Sequence, residues 1–335
     1  MNKELQKNKN YQDMLDNADE LYVQGKFTQA LALLDKIPKD CDEYSHSLFR
    51  KLVMVGLEGN RNESYDIFKK FLSIEFGVEL DDMDESEELF NYALFLFYIL
   101  HDYEGAIEQL DLSLKSNPNQ GDAFHYKALS LAFLGRLKKA VKLIDKAIEI
   151  DSNNFIYWHD KGAIFAELNF IGKAHKSFDK AISINPNPSS WSNKGVLHCR
   201  VKDFDKALDC FDNALSLDED NISSIVGKAV IYSELKDYDK ANEYFNRAEK
   251  IDADNGTFLA EKGKYLFNQG EFIESIEYFD RYLKIDDELA LVWMYKSMAL
   301  SEIGRDEESQ TCFKRAMELD PNSIDVFDEV VIIEE

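Results

Sequence analysis

Lysines and aspartates that recur at a nearly constant interval are the most distinctive ionisable residues of this sequence. The lysines are Lys127, Lys161, Lys194, Lys228, Lys262 and Lys296, and the aspartates are Asp111, Asp145, Asp179, Asp212 and Asp280, with Asn246 in the equivalent place of one unit. An active site needs its charged groups once, so the recurrence favours a structural role. Because the chain carries a net charge of −25, we expect each lysine to bury its stem and pair with the aspartate of the preceding unit. A basic binding stripe is the alternative.

Histidines could provide a metal site, although the signal is weak. His125 and His159 occupy equivalent places in neighbouring units, and Asp122 and Asp160 stand close to them in the sequence. Imidazole and carboxylate groups bind zinc, but two histidines on flexible side chains with a nearby aspartate are only a weak indication of a site. His198 replaces an apolar residue on a helix face and is interpreted as a hydrogen-bonded core histidine. We therefore predict no metal and no cofactor.

Catalytic motifs and targeting segments are also missing from the sequence. It contains no Gly-rich phosphate loop, no G-x-S-x-G and no H-E-x-x-H. The four cysteines show no C-x-x-C spacing, which favours ordinary buried thiols in a reducing compartment. The N-terminus lacks the apolar core of a signal peptide, and Phe90–Leu100 is too short to span a bilayer, so we interpret that segment as a buried helix. We expect a non-enzymatic, cytoplasmic protein.

The acidic composition restricts the class of partner. Nucleic acid is disfavoured because its binding needs a basic surface that displaces counterions. An anionic membrane surface is disfavoured for the same electrostatic reason. A basic protein segment, or one with apolar anchor side chains, remains compatible with the net charge.

Helices that recur with a period of about 34 residues are predicted to position these groups. In Phe155–Asn187 and Pro188–Asn221 an aromatic residue, Lys-Gly, Ala, Phe and Ala follow one another in the same order. In each second helix a small residue is followed four places later by a large apolar one, so both lie on one face and fill the gap between helices. The small residues are Ala106, Ala140, Ala174, Ala207, Ala241, Ser275 and Ser309, and the large ones are Leu110, Ile144, Phe178, Phe211, Phe245, Phe279 and Phe313.

The same period predicts where units begin and where the chain turns within them. Glycine adopts the left-handed conformation that ends many helices, and it stands at several of the predicted turns. The turns are predicted near Gly135, Asn169, Lys202, Lys236, Gly270 and Gly304. The regular units begin at Glu87, Gly121, Phe155, Pro188, Ile222, Gly256 and Ala290, and the last one ends at Ser323.

This repeated pattern resembles the tetratricopeptide repeat family, strongly over Glu87–Ser323 and weakly over Tyr11–Val78. The resemblance implies an all-α fold, an α-solenoid in which helix–turn–helix repeats form a right-handed superhelix. It also implies that the first helices line a concave groove, which usually holds a peptide or another protein. Three residues depart from the family pattern, Tyr282, Leu94 and Ser297, and they predict local repacking.

The chain is predicted to contain four segments of different character. They are a polar lead-in at 1–10, divergent N-terminal repeats at 11–86 with an acidic loop at 79–86, seven regular repeats at 87–323, and a C-terminal capping helix at 324–335. The capping helix would cover the open face of the last repeat. Alternatively, the apolar run Val330–Ile333 could serve self-association.

The family template predicts a set of groove residues. They are Asp122, His125, Tyr126, Leu129, Phe133, His159, Asn193, Phe267, Met294, Tyr295 and Met298. The carboxylate clamp of chaperone-binding members needs Lys and Asn followed by Lys and Arg, and only Asn193 matches it here. We therefore predict an adaptor that binds a protein segment with apolar anchors in the groove. A self-assembling scaffold and a regulatory subunit of an enzyme complex on another chain remain as alternatives.

Overall fold

The computed structural model of the chain describes residues 2–39, 41, 43–76 and 84–321. These ranges contain eighteen α-helices and no β-strand. The chain divides into two compact units, residues 1–170 and residues 171–335. None of the helices in the described ranges is both long and apolar enough to cross a membrane.

The first unit contains nine helices. They are α1 (Asn2–Val23), α2 (Phe27–Leu34), α3 (Glu43–Leu57), α4 (Arg61–Phe76), α5 (Glu85–Tyr98), α6 (Tyr103–Ser116), α7 (Gly121–Phe133), α8 (Leu137–Ile150) and α9 (Phe155–Glu167). The first eight pack in sequence as four hairpins, and α9 packs on α8. The backbone is helical from Asn2, through most of the predicted polar lead-in.

The second unit repeats the same arrangement. Its helices are α10 (Ile171–Ile184), α11 (Pro188–Arg200), α12 (Phe204–Leu217), α13 (Ile222–Glu234), α14 (Tyr238–Ile251), α15 (Gly256–Asn268), α16 (Phe272–Tyr282), α17 (Ala290–Glu302) and α18 (Asp306–Leu319). α10 packs on α11, and the other eight helices form four hairpins. The predicted all-α solenoid of helix hairpins is confirmed.

Two of the predicted segments fall largely outside the described residues. The predicted acidic loop 79–86 is described only from Asp84, whose side chain accepts hydrogen bonds from the amides of Ser86 and Glu87. Asp84 therefore caps α5, and the last residues of the predicted loop form the first turn of that helix. The predicted capping helix at 324–335 lies outside the described residues.

The turns within the hairpins are fixed by residues with positive φ. Five are glycines, and four are His101, Asn169, Lys202 and Lys236, with φ between 52° and 61°. After Lys236, the amide of Asp237 donates to the carbonyl of Tyr232 at 2.9 Å, as in a Schellman motif. All six turns predicted from the sequence are confirmed.

The small and large residues of the second helices form the predicted core between helices. Ala207 and Phe211 are fully buried, and so are their equivalents in the neighbouring repeats. A Cβ atom built on Gly195 would lie 2.6 Å from Cε1 of Phe211, so the ring occupies the space that glycine leaves. The exception is Phe313 in the last described repeat, which is 42% exposed.

The predicted lysine–aspartate pairs are present. Lys161 Nζ lies 2.7 Å from Asp145 Oδ1, and Lys194 Nζ lies 2.6 Å from Asp179 Oδ1. The other pairs are Lys127–Asp111, Lys228–Asp212 and Lys296–Asp280. The lysine stems are mostly buried, and Lys161 Nζ also lies 4.8 Å from the ring centroid of Trp158. Because these charges are engaged within the scaffold, the structure favours the structural interpretation over a basic stripe.

One further pair lies in the divergent N-terminal region. Lys51 Nζ is 2.6 Å from Asp35 Oδ1. The sequence analysis missed this pair, although its spacing of 16 residues equals that of Lys127 and Asp111. The spacing alone was therefore enough to predict this ion pair, even where the rest of the repeat pattern is weak.

Lys262 is the lysine whose equivalent aspartate is replaced by asparagine. It is buried, and no carboxylate of the described residues forms an ion pair with it. Its Nζ lies 5.1 Å from the ring centroids of Phe245 and Tyr265. Burial lowers the pKa of Lys262, and the charge of Glu249 only partly opposes that effect. The ammonium group is thus held mainly by aromatic rings.

Replacing Asn246 with aspartate should complete the missing pair. We expect Asn246→Asp to raise the free energy of unfolding by about 1 kcal/mol at neutral pH, because a buried ammonium gains a carboxylate. The gain should disappear at alkaline pH, as Lys262 loses its proton. Asp212→Asn is the matched control and should cost a similar amount, since it removes the partner of Lys228. Urea denaturation measures both effects, and a loss of stability in Asn246→Asp would contradict the equivalence of the two sites.

The left-handed turn at Lys236 provides a second stability test. A side chain with a Cβ is disfavoured there by about 1 kcal/mol, so Lys236→Gly should stabilise the protein by up to that amount. Lys180 is exposed within α10, and Lys180→Gly should instead destabilise by about 1 kcal/mol. Urea denaturation should therefore show a higher free energy of unfolding for Lys236→Gly and a lower one for Lys180→Gly. A change of the same sign in both variants would mean that Lys236 does not adopt the left-handed conformation in solution.

Candidate interaction surface

Five aromatic rings from α5, α6 and α7 form one cluster in the first unit. We call it the aromatic cluster; it comprises Phe97, Tyr98, Tyr103, Tyr126 and Phe133. The ring of Phe97 is buried at its centre, with the centroids of the other four rings between 5.0 and 5.7 Å away. Tyr103 and Phe133 stack with centroids 4.7 Å apart and planes 6° apart. The five rings therefore form one continuous set of ring-to-ring contacts.

The outer rings of the cluster are open to solvent. Phe133 is 63% exposed and Tyr98 is 54% exposed, whereas Tyr126 is partly buried. The hydroxyl oxygens of Tyr98 and Tyr126 lie 3.0 Å apart and share a hydrogen bond. Burial, followed by the hydrogen bond with Tyr98, raises the pKa of Tyr126. The Tyr126 hydroxyl is therefore neutral at physiological pH, and the rings of the cluster present a largely apolar surface.

Two carboxylates lie close to the aromatic cluster. The hydroxyl of Tyr157 donates to Asp122 Oδ1 at 2.5 Å, and Asp160 Oδ2 lies 2.6 Å from Nε2 of His125. The charges of Asp122 and Asp160 both contribute to the raised pKa of Tyr126, after the larger effects of burial and the Tyr98 hydrogen bond. The rings therefore border a negative field that could attract a cation.

The predicted groove residues separate into two groups. Asp122, His125, Tyr126, Leu129, Phe133 and His159 belong to the first unit, and Asn193, Phe267, Met294, Tyr295 and Met298 belong to the second. In the first unit the rings of His125 and Tyr126 are in contact, with centroids 5.0 Å apart. In the second unit Tyr295 packs against Phe267 at 5.5 Å and against Phe279 at 6.1 Å.

Several predicted groove residues offer little surface to a partner. His125 is 5% exposed and Met294 is 3% exposed. Leu129 is partly buried and packs against the hydrophobic core that contains Leu96. Burial lowers the pKa of His159, so this imidazole is neutral at physiological pH. The family template gave no information on the depth at which each side chain lies.

The sequence analysis missed three members of the aromatic cluster. It treated Phe90–Leu100 as a buried helix, but α5 ends at Tyr98, which is well exposed. A signal was present, because Tyr98 shares its repeat position with Phe267, a residue that the template had placed in the groove. Tyr103 begins the next helix, and its stacking on Phe133 could not be inferred from either helix alone.

The histidines do not assemble further metal ligands around them. Nε2 of His125 is engaged by Asp160, and His125 also contacts the ring of Tyr157 at 5.0 Å. Within the described ranges, no three His, Cys, Asp or Glu side chains are grouped so that they could hold a metal ion.

Comparison with known proteins identifies several repeats of one type within the chain. Models described as tetratricopeptide repeat match residues 96–155, 188–221, 222–255 and 290–323. No curated protein matches the sequence.

Solved structures share the fold at low sequence identity. A tetratricopeptide repeat protein from Parabacteroides merdae superposes with a TM-score of 0.57 at 17% identity, covering 70% of this chain and 93% of that one. The APC/C hetero-tetramer Cut9–Hcn1 gives 0.57 at 19% identity, covering 86% of this chain and 55% of that one. Yeast Tom70 gives 0.56 at 18% identity, covering 96% and 82% respectively. Together with the repeat matches and the stacked helix hairpins, these similarities show that residues 96–155, 188–255 and 290–323 match tetratricopeptide repeats and that the chain has the fold of tetratricopeptide repeat proteins.

Proposed function

We propose that this chain is a non-enzymatic adaptor that binds a protein segment, and that the aromatic cluster anchors that segment. The observation that carries the proposal is the exposure of Phe133 and Tyr98 on a surface of stacked rings. Large exposed rings leave apolar area in water, and interfaces often use such rings as their dominant anchors. Neither ring is needed to fill the space between helices, which Leu110 and Ile144 occupy in the same unit.

The carboxylates beside the cluster indicate the chemistry of the partner. The charges of Asp122 and Asp160 act on Tyr126, so a segment that docks on this ring would be favoured by a lysine or arginine next to its apolar anchor. The net charge of −25 would speed the capture of such a basic segment at low salt. Affinity itself would come mainly from the apolar anchor in contact with the rings.

Three observations support a cytoplasmic adaptor rather than an enzyme. Proteins of the tetratricopeptide repeat family are generally interaction scaffolds, and one structural neighbour, Cut9–Hcn1, is a hetero-tetramer. The four cysteines are free, and burial raises the pKa of Cys199 to about 11, so that thiol is unreactive at neutral pH. Free thiols also suit a reducing compartment.

A peptide library displayed on phage and selected on the full chain tests this function. We expect selected peptides to combine an aromatic or aliphatic residue with a nearby lysine or arginine. Phe133→Ala and Tyr98→Ala should each weaken a selected peptide by at least about 1 kcal/mol in calorimetric titration, and binding should weaken as salt rises. Thermal melts should change little, because both rings are exposed.

The matched control is Leu235→Ala, which removes a comparably exposed apolar side chain from the second unit. It should leave peptide binding unchanged. Peptides that bind the Phe133→Ala, Tyr98→Ala double variant as well as they bind the wild type would overturn the proposal.

Self-association is the second candidate, and a separate observation favours it. Phe313 is 42% exposed, whereas the equivalent large residues of the other regular repeats are buried. An uncovered ring at this position could pack against a second copy of the chain. Light scattering should then show a dimer or larger assembly that Phe313→Asp converts to the monomer. A monomeric wild type at the same concentration would exclude this candidate.

A further inference from the structure

Two histidines of the second unit pack directly against each other. His175 lies on α10 and His198 lies on α11, with ring centroids 4.4 Å apart and planes 42° apart. His198 is mostly buried, and His175 is partly buried. Neither residue belongs to the aromatic cluster, and the proposed peptide binding makes no use of them.

The repeat scaffold itself does not require histidine at either position. The place of His198 is held in other repeats by Phe97, Leu131, Phe165, Tyr232, Leu266 and Leu300. The place of His175 is held in four others by Ile107, Val141, Leu208 and Ile276. An apolar contact has thus been replaced on both sides by imidazole, a group that changes its charge near neutral pH.

The charged groups around the pair do not favour an imidazolium. Lys194 on α11 and Lys206 on α12 both oppose protonation, while Asp179 on α10 and Asp203 before α12 favour it. Each of these carboxylates is already paired with a lysine, Asp179 with Lys194 and Asp203 with Lys206, both at 2.6 Å. Nδ1 of His198 is 3.8 Å from Asp203 Oδ2, too far for a good hydrogen bond.

Burial is the largest cause that lowers the pKa of each histidine. For His175 the neighbouring His198 is the next cause, so a proton on one ring hinders protonation of the other. Neither effect acts in the unfolded chain, where the pKa of a histidine is about 6.5. The folded unit therefore binds fewer protons than the unfolded chain as the pH falls below that value.

We propose that the contact between His175 and His198 is a proton-sensitive joint of the second unit. At neutral pH two uncharged imidazoles pack together and hold α10 against α11. When the pH falls, protonation adds a positive charge that the charges of Lys194 and Lys206 already disfavour, and the packing of α10 on α11 loosens. The stability that the neutral pair provides is complete above the unfolded pKa and is lost as the pH falls below it.

Urea denaturation of the full chain at several pH values tests the joint. A folded pKa one unit below the unfolded one would raise the unfolding equilibrium constant about fivefold per histidine between pH 7.5 and 5.5. The His175→Leu, His198→Leu double variant carries the residue that other repeats use, and it should lack this part of the acid sensitivity. His46→Leu, at an exposed position of the first unit, is the matched control and should keep the sensitivity of the wild type.

A second measurement on the wild type keeps the test decisive if the double variant folds poorly. The ring protons of His175 and His198 should titrate in NMR spectra of the folded protein with midpoints below those of the same protons in the urea-unfolded chain. Either of two results would overturn the proposal. One is the same acid sensitivity in the wild type and in a folded double variant. The other is titration of the pair at or above its midpoint in the unfolded chain, which would indicate a shared proton.

Discussion

The whole scaffold depends on a close approach between helices that a large ring then fills. Phe211 shows the constraint most clearly, because its ring lies where Gly195 and Gly227 have no side chain. Ala207, one turn earlier on the same helix, is fully buried and lets the helices come together. Any added atom at these positions would push the helices apart, whereas a smaller ring would leave a cavity. The spacing of the helices is therefore fixed by steric contact in nearly every repeat.

This steric core leaves the charged groups and the exposed rings free for other roles. Five of the six recurring lysines lie beside the core and pair with aspartates of the preceding repeat, so they support the stack without presenting a basic surface. Acidic groups such as Asp122 remain at the surface and give the protein its negative field. Scaffold and interaction surface thus use different residues of the same helices, and the surface can change while the core is preserved.

Features that recur in each repeat could be predicted from the sequence, because a pattern that is ambiguous in one repeat becomes clear when several repeats show it. The turn near Lys236 and the pair between Lys161 and Asp145 were inferred from spacing alone. Features that occur once could not be inferred in this way. The stacking of Tyr103 on Phe133 joins two helices through side-chain orientations that no repeat pattern encodes. For the same reason, periodicity did not predict that Met294 is buried in the core.

The central claim is that a partner segment docks on the aromatic cluster, and amide hydrogen exchange of the complex with a selected peptide tests it most directly. Exchange reports which backbone segments become protected when a ligand covers and stabilises them. We expect slower exchange in residues 97–104 and 126–136. Exchange should change little in the second half of α8. Protection confined to the second unit, or to the second helices, would contradict the claim and would place the interaction surface elsewhere on the chain.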